Sequence, residues 1–61
     1  MKYVPEIGDI VLFKPPGAGH RRVGEVSKYV GNAQFEIQTS HTPLENFVIH
    51  EDLLEEYDGT W

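Results

Sequence analysis

Three histidines, a run of acids and a short basic stretch are the residues of this chain whose types could do chemistry. His20, His41 and His50, with Glu51, are donors that zinc accepts. Their spacing matches no local ligand motif, so a site would need convergence from three separate parts of the chain, and no metal is expected. Loop positions facing solvent, and a capping role for His50, are the simpler expectation. The hydroxyls of Ser27, Thr39, Ser40 and Thr42 fall in strand and turn contexts, and no nucleophile–histidine–acid arrangement can be read among them. The acids Glu51, Asp52, Glu55 and Glu56 read as a solvated face around a helical turn. No catalytic residue and no cofactor are assigned.

The basic stretch is the more distinctive one. Lys14, His20, Arg21 and Arg22 flank Pro15-Pro16-Gly17-Ala18-Gly19, so positive side chains and loop amides occur together. Such a loop can hold a phosphate, and it supports a nucleic-acid contact as one alternative. Aromatic stacking partners nearby are few, chiefly Phe13 and Tyr29. The competing expectation is that Arg21 and Arg22 pair with acids across a sheet, such as Glu36. All five Lys and Arg residues lie before position 29, whereas seven of the ten acids lie after it, and the net charge is −5. An acidic chain repels phosphate backbones at long range, which favours a protein partner over nucleic acid.

The elements that must position these residues are short strands. Asp9 to Lys14 is predicted as the first, with Ile10 and Leu12 on one face and Val11 and Phe13 on the other. Prolines and glycines from 15 to 19 make a loop. Arg21 to Val30 is the second strand, where Gly24 predicts a bulge or bend. Gly31-Asn32 is a tight-turn signal. Gln34 to Ser40 alternates Phe35, Ile37 and Thr39 with Glu36, Gln38 and Ser40, a strand with one buried face. After a turn at Pro43, Asn46 to His50 is the fourth strand. Glu51 to Leu54 predicts a helical or 3₁₀ turn with a leucine plugging the core, and Glu55 to Tyr57 a fifth strand. Ile7 is expected to tuck beneath the sheet, and residues 58–61 form a tail.

This order resembles the SH3-like small β-barrel superfamily, including KOW and Tudor modules. Ile7-Gly8-Asp9-Ile10-Val11, Gly24-Glu25-Val26 and Val48-Ile49-His50-Glu51-Asp52-Leu53 carry the likeness. It implies an all-β, five-stranded SH3-like barrel with one 3₁₀ or helical turn near the C-terminus. One domain spans 1–61, with a core of about 7–57. The likeness extends to modules of phages and mobile elements, and that origin is an expectation from the resemblance alone. Gly8-Asp9-Ile10-Val11 also resembles the opening of the trimethoprim-resistant type II dihydrofolate reductases. In that family the strand before the plug turn lines an oligomeric pore; the corresponding residues here are Val48, Ile49 and His50. Only Ile49 matches the family's pattern, since Val48 replaces its glutamine, His50 its tyrosine, and Phe13 stands near its pore lysine.

A chain of 61 residues buries only about 60% of its unfolded surface, so its core is small. Consecutive apolar residues on a strand point to both faces, and outward ones need a cover. The expected function is therefore a non-enzymatic binding module working through protein–protein contacts, self-association included; the alternatives are a nucleic-acid-associated barrel using Lys14, His20, Arg21 and Arg22, and an oligomeric reductase-like pore enzyme using Val48, Ile49 and His50. Val11, Phe13, Phe47, Val48 and Tyr57 are its expected partner surface. There is no cysteine and no apolar run near the roughly 18 residues of a membrane span, and the opening residues lack a signal-peptide core, so a cytoplasmic protein is expected.

Overall fold

A computed structural model describes residues 3–57; the expected tail at 58–61 lies outside the described residues. Strand β1 is Ile10–Phe13, β2 Arg22–Gly31, β3 Gln34–Thr39, β4 Asn46–His50 and β5 Glu55–Glu56, with a 3₁₀ turn at Glu51–Leu53 between the last two. All pair antiparallel in one sheet of order β4-β3-β2-β1-β5. The protein is all-β, as its short alternating segments predict.

The connections follow local backbone rules. In Pro15-Pro16-Gly17-Ala18 the Ala18 N–H donates to the Pro15 carbonyl at 3.0 Å while Gly17 takes φ +79°. This is the type II pattern, with proline and then glycine at its centre. The hairpin between β2 and β3 turns on Asn32 and Ala33, both at positive φ, one residue later than the Gly31-Asn32 signal suggests. Two consecutive left-handed residues match the twist of the flanking strands.

The sheet coils on itself. A straight ten-residue strand such as β2 would run about 33 Å, yet the longest dimension of the molecule is 26 Å, and the other two are 22 and 20 Å. Register shifts between Val26 and Lys28 and between Tyr29 and Gly31 leave Ser27 and Val30 as extra residues, and such bulges bend a strand. The bulges therefore lie beyond Gly24, where the sequence predicts one. Gly24 answers a different demand, since a Cβ there would lie 2.7 Å from both the Gln38 carbonyl oxygen and Ile37 Cγ2.

The concave face holds Val11, Phe13, Val26, Phe35, Ile37, Ile49 and Leu54. Phe35, Ile37 and Thr39 are buried as their alternation predicts, and Leu54 is the leucine that plugs the core. Two expectations are corrected. Val11 and Phe13, expected on a partner-facing surface, are 0% and 1% exposed and belong to the core; Ile10 and Leu12 face outward. The register sets this parity, placing Val11 opposite Gly24 and bringing Phe13 edge-on to Phe47 at 5.9 Å. Ile7 does not tuck in and is exposed; Tyr3 packs against the core and Pro5 is buried instead.

The lead-in is fixed by Asp9, whose Oδ2 accepts from the Tyr3 hydroxyl and the Glu6 N–H, both at 2.9 Å. Gly8 N–H donates to the Val26 carbonyl, and Val26 N–H to that of Asp9. Burial, and then the Asp9 carboxylate, push the Tyr3 phenol up to about 12 from 10.0. The folded chain holds this proton more tightly than the unfolded one. The resulting stability is fully present below pH 10 and is lost between about pH 10 and 12. Urea unfolding of Tyr3→Phe should show a loss of about 1 kcal/mol at neutral pH and none of the extra alkaline loss that Tyr3 contributes.

Candidate functional site

In a meander every second connection falls at the same end, so the β1–β2 loop and the β3–β4 loop stand side by side. Between them runs an open groove of about 800 Å³, to which Leu12, Pro16, Pro43, Phe47 and Tyr57 present apolar walls. Leu12 comes from the outer face of β1. Tyr57 arrives next to it because its N–H donates to the Ile10 carbonyl at 3.3 Å, extending the β5–β1 ladder. Phe47 sits where the groove meets the core.

One wall is held by Arg22. Its Nη1 donates to Glu45 Oε1 at 2.8 Å, and its Nη2 donates to the carbonyls of His41 and Pro43 at 2.9 Å each. The side chain is only 16% exposed. Thr39 completes the latch: its Oγ1 accepts from Glu45 N–H at 2.8 Å and donates to the Pro43 carbonyl at 3.1 Å. The loop carries a cis Thr42–Pro43 peptide bond. Arg22→Met should therefore cost about 2 kcal/mol, because three acceptors lose their donor. Arg21→Ala should change stability by less than about 0.5 kcal/mol, since its pair is exposed. Urea midpoints, with amide exchange across residues 39–45, measure the contrast.

Three of the four basic-stretch residues, His20, Arg21 and Arg22, line this groove. Arg22 turns inward beneath the β3–β4 loop, whereas Arg21 is exposed and lies 3.2 Å from Glu55 Oε2 on β5. Lys14 is exposed and is not part of the groove's lining. The arginines do pair with acids, but with Glu45 and Glu55; Glu36 lies opposite Lys28 in the β2–β3 register.

Val48, Ile49 and His50 do not share a surface either. Ile49 is in the core, while Val48 is 53% exposed on the outer face. His50 caps the 3₁₀ turn, its Nδ1 accepting from the Asp52 N–H at 3.1 Å. A pore wall can therefore use Val48 and His50 but not Ile49. Among the described residues no group of three or more His, Cys, Asp or Glu is gathered as for a metal ion. No helix among them is long and apolar enough to cross a membrane.

Of the expected partner residues, the structure brings Phe47 and Tyr57 together and leaves Val48 on another face. Leu12, Pro16 and Pro43 join the groove without having been singled out. The available signal was topological: two proline-containing loops separated by one hairpin must adjoin. No protein-family model, curated protein or solved structure matches the chain.

Proposed function

We propose that this chain is an SH3-like barrel acting as a protein-binding module, and that its groove receives an extended apolar segment of a partner. The carrying observation is the groove itself: about 800 Å³, with proline and aromatic walls, one of them latched by Arg22. That volume is ample for several side chains. Proline and two-torsion aromatic side chains lose little entropy on contact, so such walls bind extended chains efficiently. The strand order β4-β3-β2-β1-β5, with a 3₁₀ turn before the last strand, supports the SH3-like kinship. Because Val11 and Phe13 are used in the core, the partner surface is assigned to Leu12, Pro16, Pro43, Phe47 and Tyr57.

Peptides selected by display on the immobilised chain should shift amide resonances of residues 12–20, 41–47 and 57 selectively. Tyr57→Ser should weaken the selected peptides about tenfold while leaving the thermal midpoint little changed. Shifts confined to the outer face of β4 would overturn the groove as the site. Sedimentation over a range of concentrations reports whether a second copy of the chain is the partner.

A further inference from the structure

We infer that the segment received by this groove carries a carboxylate, from Asp or Glu, beside the apolar residue that packs on Tyr57, and that Arg21 binds it. The inference rests on the groove reading above and adds the partner's charge to it. Two arginines line the groove, against Glu45 as the one acid lining it among the described residues, in a chain of net charge −5. The groove is therefore a positive strip on an acidic molecule. An acidic segment is attracted there and repelled elsewhere, which gives it a single place to dock.

The two arginines are not equivalent. Arg22 commits Nη1 and Nη2 to Glu45 and to the carbonyls of His41 and Pro43, and its side chain is only 16% exposed. It holds the wall. Arg21 is 57% exposed and, among the described residues, contacts Glu55 alone, through Nη1, at 3.2 Å to Oε2 and 3.4 Å to Oε1. A good guanidinium–carboxylate bond is about 2.7–2.9 Å long and is often two-pronged. Nη2 and Nε of Arg21 are left for such a bond, and an exposed pair like the one to Glu55 resists little.

Strand β5 sets where that bond forms. Glu55 faces Leu12 across the β5–β1 ladder, and Tyr57 lies two residues further along the same face. Arg21, drawn towards Glu55, stands at the Leu12–Tyr57 end of the groove. A carboxylate brought there by an apolar neighbour is partly stripped of water, which strengthens its pairing with the guanidinium. The same observations argue against a nucleic-acid strand. A phosphate backbone is bound by several cations together, whereas Arg22 is committed and Lys14 lies outside the lining.

A random linear-peptide display library selected on the immobilised chain supplies the probes. Most selected peptides should carry Asp or Glu next to an aromatic or aliphatic residue. Replacing that acid by its amide should weaken binding about fivefold. Arg21→Gln, which keeps the parent's melting midpoint, should weaken the acidic peptides by the same factor and change their amide forms by less than about twofold, as direct coupling requires. Peptides that shift the groove resonances without preferring an acid, or that bind Arg21→Gln as well as the parent, overturn this inference and leave the groove reading standing. Peptides that shift no groove resonance overturn both. An oligothymidylate that shifts the same resonances and binds more tightly than every selected peptide overturns the inference in favour of nucleic acid.

Discussion

Phe13→Ala is expected to leave most of the chain unfolded in buffer at room temperature. The ring is 1% exposed, belongs to the main core cluster and meets Phe47 edge-on at 5.9 Å. Truncating a buried phenylalanine costs about 3–5 kcal/mol, part of it as the cavity left behind. A domain of this length rarely has more than about 3–5 kcal/mol in total, so the one substitution removes nearly all of it. Val48→Ala, on the outer face, should cost less than about 1 kcal/mol. Urea melts followed by near-ultraviolet dichroism read the difference. A Phe13→Ala chain that melted like the parent would return Phe13 to the surface and undo the parity of β1.

The second large effect is at Gly24. A methyl group there would sit 2.7 Å from the Gln38 carbonyl oxygen, which is backbone and cannot swing aside, and equally close to Ile37 Cγ2 in the centre of the core. To admit it, β2 and β3 must separate where Gly24 faces Thr39. That register also sets the buried Thr39 hydroxyl under the β3–β4 loop. Gly24→Ala should cost about 3 kcal/mol, at the upper end of overpacking losses. The cost is steric, not torsional, because Gly24 is not among the glycines with positive φ. Gly19→Ala supplies the control: nothing lies within 4 Å of a Cβ there, so its melt should stay within about 0.5 kcal/mol of the parent. Equal behaviour of the two variants would show that β3 does not approach β2 so closely.

Both effects arise at positions whose element is legible in the sequence but whose role is not. Strand β3 could be read down to its buried face, because only one parity of Gln34–Thr39 is apolar. The proline–glycine loop at 15–19 and the leucine plug were equally legible, each resting on residues adjacent in the chain. Of the groove, Phe47 and Tyr57 could be named from the sequence, but not with their neighbours, since Leu12, Pro16 and Pro43 come from three separate segments.

What the amino-acid sequence determined by itself is therefore local: the strands and their order along the chain, the turns, and the inward face of β3. Tertiary structure decided the rest. Both faces of β1 are apolar, so a period of two fits either parity, and only pairing with β2 and β5 turned Val11 and Phe13 inward. Arg21 and Arg22 are neighbours of the same type, yet alternation sends one out to Glu55 and the other beneath the β3–β4 loop. The physical reason is common to both cases. Backbone preference is set by a residue and its immediate neighbours, whereas the face a strand presents is set by partners far away in the chain.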